Sequence, residues 1–238
     1  AALAAVGAAA VAGVKFLLDL EKSTEEYRAA QGRLNTAFEA AGYSTDTAKE
    51  AYQSLYSILG DTDNATESAQ LLAQLATSEK DVATWADIAA GVTGTFGDAL
   101  PINSLIEASN ETAKVGQVTG ALADALNWVG ISEDEFNEKL AACADETERT
   151  ALITDTLSAT YQNATDIFKE NNATLIAANK AQAELDDTLA RLGGTVADVK
   201  AELVAEFAPA ISEVVDAFIG LMEGADGAED ALADAIDG

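Results

Sequence analysis

The chain has 238 residues, with 41 acidic side chains against 13 basic ones, a formal net charge of −28, no histidine and one cysteine, Cys143. These numbers exclude histidine-based triads, imidazole metal sites, an intrachain disulfide and any multi-cysteine metal site. They also argue against specific nucleic-acid binding and against adhesion to anionic membranes: both need clustered Lys and Arg, and here the basic residues are scattered singly.

Hydrophobic residues make up 49% of the chain, much of it Ala, while aromatics are 6% and there are two prolines. That composition predicts an all-α fold. Its arrangement is expected to be a compact multi-helix module of short helices inserted between long flanking helices. Residues 1–41 read as one long helix whose first third is small and apolar. From Phe16 a stripe forms through Leu20, Tyr27, Leu34 and Phe38. No basic residue precedes the apolar run, which ends at Val14 and is short of the roughly 18 to 20 residues that span a bilayer. The absence of an initial Met reads as an internal piece of a longer protein.

Residues 42–150 are expected to form the compact module. A helix at 46–59 carries Tyr52, Leu55, Tyr56 and Ile58 inward and stops at Gly60. Asn64 with Glu67, Ser78 with Asp81, Ser132 with Glu135 and Asp145 with Glu148 have the spacing of capping boxes, so Asn64, Ser78, Ser132 and Asp145 are the predicted helix caps. After the helix with Val82, Trp85, Ile88 and Ala89, the glycines of GVTGTFG predict a breakdown of helix from Gly91 to Gly97. Pro101 opens the next helix, carrying Ile102, Leu105 and Ile106 to about Lys114. A short helix over about 119–129 presents Leu122, Leu126 and Val129 and ends at Gly130. Another bears Phe136 and Leu140.

Residues 151–192 are predicted as a long helical hairpin or rod packing on the module, with Leu152, Ile153, Leu157, Tyr161 and Ile167 as its apolar side. Gly193-Gly194 marks a break. Residues 193–238 follow as a C-terminal helix bent near Pro209 with a frayed acidic tail.

Chemistry-bearing patterns are weak. Asp61 and Asp63 resemble the start of a calcium loop, but the stretch lacks the loop glycine and a correctly placed closing glutamate. GVTGTFGDAL lacks both the spacing and the terminal Lys-Thr/Ser of a phosphate loop, and its expected use is to let two helices meet, with Phe96 plugging the gap. Cys143 stands among acids with no base to activate it. Asn64, Asn110, Asn163 and Asn172 each start an Asn-x-Ser/Thr triplet, to which no glycan is assigned. No catalytic residue, cofactor or metal ligand is expected, and the chain reads as non-enzymatic. The residues singled out are structural: Trp85, Phe96, Gly97, Pro101, Trp128, Gly130 and Phe136 as the core and junction of a knot centred on 96–136.

Two stretches, AFEAAGYSTDTAKEAYQSLYSILGDTDNATESAQLLAQLA and DVATWADIAAGVTGTFGDALPINSLIEASNETAKVGQVTGALADALNWVGISEDEFNEKLAACADETER, resemble the conserved module of tail tape measure proteins. These belong to long-tailed bacteriophages and to prophages of Gram-positive bacteria, and the similarity covers about residues 25–191. The resemblance implies a mainly helical virion protein lying in several copies in the tail lumen; the flanks themselves carry only short, imperfect coiled-coil heptads. Such a protein sets tail-tube length during assembly and leaves ahead of the DNA at ejection. Its implied partners are the tail-tube protein, tail assembly chaperones in the host cytoplasm, and distal tail or baseplate proteins, with host-membrane contact for the full-length protein. The alternative reading is a non-enzymatic helical interaction or toxin-like module that binds a host-surface or other protein partner.

Overall fold

The structure, a computed structural model, describes residues 16, 17 and 19–202. Among these the regular structure is helical throughout, so the fold is all-α. The described residues divide into two compact units, one formed by Thr24–Leu189 and the other containing the described residues of 16–23 and of 190–202.

The unit Thr24–Leu189 contains α1 (Glu25–Ala40), α2 (Thr45–Leu59), α3 (Thr62–Leu75), α4 (Glu79–Phe96), a 3-10 turn (Gly97–Ala99), α5 (Ile102–Val115), α6 (Gly120–Asn127), α7 (Glu133–Ala142) and α8 (Glu146–Asn171). After Asn172, residues 173–189 are again helical. One continuous core joins them. It takes Leu34 and Phe38 from α1, Tyr52 and Leu55 from α2, Leu72 from α3, and Trp85, Ile88 and Val92 from α4; Leu105, Leu126, Phe136, Leu157 and Tyr161 complete it from the later helices. Each such side chain contributes about 1.5–3 kcal/mol on full burial. The most extensive helix pairing is α4 against α8.

Helix starts follow side-chain chemistry. Ser44 Oγ accepts from the Thr47 N–H at 3.1 Å, and Ser78 Oγ from the Asp81 N–H at 3.3 Å. Asp81 returns the favour one residue further out, its carboxylate accepting from the Thr77 N–H at 2.9 Å. At α8 the Asp145 carboxylate accepts from the Glu148 N–H at 2.9 Å, and Glu148 accepts from the Ala144 N–H at 2.7 Å. Two predicted caps differ. The cap of α3 is Asp61, which accepts from the backbone of Asn64 at 2.8 Å; Asn64 lies inside the first turn. The chain takes the first competent cap it meets, and the aspartate precedes the asparagine by three residues. Ser132 occupies the N-cap position of α7 but makes no side-chain capping bond. Asp145→Ala should therefore cost about 1 kcal/mol, whereas Ser132→Ala should stay within about 0.5 kcal/mol of the parent chain; urea denaturation followed by circular dichroism separates the two.

Three predicted boundaries move. The expected helix over 1–41 is interrupted at Thr24, next to Ser23, whose hydroxyl donates to the Leu20 carbonyl at 3.1 Å. Side chains of this kind compete with the helix ladder. Residues 1–15 and 18 lie outside the described residues. The expected breakdown from Gly91 to Gly97 does not occur before Gly97, because α4 runs through Gly91 and Gly94 and ends at Phe96. The tract over 151–192, expected as a helical hairpin or rod, is divided at Asn172. Gly193 and Gly194 do not break the chain either, since residues 190–202 are helical; an interior glycine costs a helix only about 1 kcal/mol. Within this second unit Lys200 Nζ meets Glu21 Oε2 at 3.1 Å. The expected bend at Pro209 and the acidic tail lie outside the described residues.

Candidate functional site at the helix junction

Of the residues picked out for the knot, Trp85, Phe96 and Trp128 lie at or beside the seam between α4 and α8. Trp85 Nε1–H donates to Thr154 Oγ1 at 3.1 Å; further on, Thr165 Oγ1–H donates to the Asp87 carbonyl at 2.7 Å. Glycine sets the spacing. A Cβ on Gly91 would lie 2.6 Å from Thr165 Oγ1 and 2.8 Å from the Tyr161 carbonyl oxygen, and one on Gly94 would lie 2.8 Å from the Phe168 ring. These two glycines act by having no side chain rather than by breaking the helix.

Beyond this contact the chain turns. Gly97 ends α4 with φ +54°, a conformation that side-chain-bearing residues rarely adopt. Pro101, with φ −62°, stands at the N-cap of α5. Gly130, with φ +80°, lets the chain leave α6 so that the Ile131 N–H reaches back to the Leu126 carbonyl at 2.9 Å. Phe136 is buried on α7.

Phe96 does bridge the junction. Its ring centroid lies 4.8 Å from that of Trp128 and 6.0 Å from that of Tyr161. The two tryptophans are unequal, however. Trp85 is fully enclosed, while Trp128 is 49% exposed and is therefore not a core anchor. It sits just past the last residue of α6, so its ring covers Phe96 from outside. Ile167, expected on the apolar side of α8, is likewise exposed. The expected Ile153, Leu157 and Tyr161 are buried on that side, joined there by Thr150, Thr154 and Thr165, also buried. Sequence reading passed over the three threonines, although their three- and four-residue spacing from the apolar positions marks them as the same face.

The Tyr161 hydroxyl donates to the Ala125 carbonyl at 2.7 Å, tying α8 to α6. Burial pushes the Tyr161 phenol up to about 12, and burial does the same to Tyr52, also to about 12. An unfolded tyrosine titrates near 10. Between about pH 10 and pH 12 the unfolded chain therefore loses phenolic protons that the folded chain retains. The corresponding stability is complete below pH 10 and is lost as pH rises through that window. Denaturation midpoints should be flat from pH 8 to about 9.5 and fall above it. Tyr161→Phe should shallow the fall and cost about 1 kcal/mol at neutral pH through the lost hydrogen bond.

Asp61 is engaged at the α3 cap, and the half-buried Cys143 thiol donates to the Lys139 carbonyl at 3.4 Å. Among the described residues no group of three or more Asp, Glu or Cys side chains is placed to hold a metal ion, and no helix is long and apolar enough to cross a membrane. The class these observations define is an all-α module with a tightly packed glycine seam and a half-exposed aromatic cap on it. No family model, curated relative or solved structure matches the chain.

Proposed function

We propose that the chain is a structural, non-enzymatic segment of a phage tail tape measure protein. In that role it occupies the tail lumen, meets tail-tube, chaperone and distal tail proteins, and leaves before the DNA. The observation that carries the reading is a coincidence of boundaries. The sequence resembling the family covers about residues 25–191, and the chain folds as one compact unit over Thr24–Leu189. What resembles the conserved module is thus also a physical module.

The geometry bears on what such a segment contributes. As one straight helix, residues 24–189 would reach about 250 Å at 1.5 Å per residue. The chain instead folds back on itself, and its longest helix with both ends in the unit, α8, has 26 residues. This segment therefore serves docking or ejection, while length is set by other parts of the protein. The net charge of −28 keeps it from adhering to DNA that follows it down the tube.

The test is made on particles produced from the genome that encodes the chain. Peptides from 24–202 should be found by mass spectrometry in purified tails and should be lost from particles that have ejected. In-frame deletion of codons 24–189 should abolish tails or infectivity, or shorten tails by far less than about 250 Å. Infectious particles with unaltered tails and no peptide of this chain would overturn the proposal, and recovery of the chain on the host surface instead would favour a host-binding module.

A further inference from the structure

We infer that residues 173–189, the first part of a helix that runs unbroken to residue 202, form a strap, hinged at Asn172, that releases as one piece from the groove between α2 and α4 while the rest of the unit stays folded. Burial gives the first reason. In the 18 residues of α4, eight are buried; across residues 173–189 only Ala183 is, with Ile176 packed half-buried against the core. Local stability follows buried contact, and segments poor in it open below the global free energy.

The space beneath the strap gives the second. A groove of about 770 Å³ runs between α2, α4 and the strap, lined by Ser54, Ile58, Ala83, Ala86, Ile176 and Ala177. The groove is open to solvent, so along it the strap makes fewer of the dispersion contacts that hold α4 to α8. Polar ties take their place. Lys49 Nζ meets Asp187 Oδ2 at 2.9 Å, with the two side chains 45% and 22% exposed, and Asn179 Nδ2 donates to the Ser57 carbonyl at 3.2 Å. Ion pairs this exposed hold weakly and are screened by salt.

The hinge gives the third. Asn172 leaves helical geometry, with φ −112° and ψ 16°. Its N–H and its side-chain amide both donate to the Phe168 carbonyl, each at 2.9 Å, which finishes α8 without help from the strap. The preceding turn is fixed independently, since Lys169 pairs with Asp87 and Thr165 bonds the Asp87 carbonyl. Motion can thus begin after Asn172 and leave α8 in place. Release uncovers the small-residue face of α2 and α4 around Ile58 and Ala86.

Hydrogen–deuterium exchange of the full 238-residue chain, read by mass spectrometry, tests this. Peptides within 173–189 should exchange at least about 100-fold faster than those of α4 and α8, and faster again in 1 M salt. Lys49→Glu should accelerate the strap about fivefold with no change in α4 or α8, and pairing it with Asp187→Lys should restore the slower rate. Lys49→Ala, with circular dichroism to show an intact fold, gives the same comparison without repulsion. A strap that exchanges no faster than α4 and α8, or variants in which all helices accelerate together, would overturn the inference.

Discussion

Gly91→Ala is expected to destabilise the chain by about 2–4 kcal/mol, although alanine is the better helix former. Replacing an interior helical glycine with alanine should by itself gain about 1 kcal/mol. At Gly91 the added methyl meets Thr165 Oγ1 at 2.6 Å and both Cβ and the carbonyl oxygen of Tyr161 at 2.8 Å. The oxygen belongs to the backbone of α8 and cannot step aside, so the helices must separate. Overpacking of this kind costs about 1–3 kcal/mol or more, and displacing Thr165 also breaks its 2.7 Å bond to the Asp87 carbonyl, worth about another 1 kcal/mol. Two companion substitutions make the argument specific. At Gly94 the obstacle is Phe168, its half-buried ring at 2.8 Å and its Cβ at 3.0 Å; the ring can swing but the Cβ moves only with the backbone, so Gly94→Ala should cost about 1–2 kcal/mol, less than Gly91→Ala. At Gly32, in α1, a methyl meets nothing within 4 Å, and Gly32→Ala should stabilise by up to about 1 kcal/mol. Thermal and urea denaturation of the three variants should rank them Gly32, Gly94, Gly91 in falling stability. Equal effects would show that the α4–α8 contact is looser than its geometry states.

That series also marks where the sequence is legible and where it is not. Caps are local, and Ser78 and Asp145 could be read because donor and acceptor lie three residues apart. Asn64 misled because Asp61, an equally good cap, stands three residues earlier, and spacing alone does not rank them. Glycines are ambiguous in one dimension. Gly97 and Gly130 take positive φ and end helices, whereas Gly91 and Gly94 stay helical and admit a neighbour. A signal separating them was present: Val82, Trp85, Ala89, Val92 and Phe96 keep three- and four-residue steps straight through the glycine run. The buried threonines of α8 were missed for a different reason. A hydroxyl counts as polar in a hydrophobic pattern, yet Thr154 and Thr165 satisfy theirs against α4 and so belong to the core face. No pattern could have shown that Trp128 is half exposed, since this depends on where α6 stops relative to Phe96.

Trp85→Ala should produce the other large loss, about 3–5 kcal/mol, as expected when a fully enclosed aromatic is cut to a methyl and its neighbours relax only in part. Trp128→Ala removes the same side chain from the half-exposed position over Phe96 and should cost less than about 1.5 kcal/mol. The difference separates two residues that look alike in sequence. Part of the Trp85 effect is polar, because its indole N–H donates to Thr154 Oγ1 inside the core at 3.1 Å. Trp85→Phe keeps most of the apolar contact but deletes the donor and leaves the Thr154 hydroxyl without that donor, a penalty of about 1–3 kcal/mol. In a Thr154→Val background neither group is left over, so Trp85→Phe should cost about 1 kcal/mol less than it does in the parent chain. Denaturation of the four chains, followed by circular dichroism, gives this coupling directly. A coupling near zero would mean that shape alone holds α4 to α8. A coupling of about 1 kcal/mol would mean that the buried hydrogen bond, together with the Thr165 bond further along, fixes the register in which the two glycines meet α8.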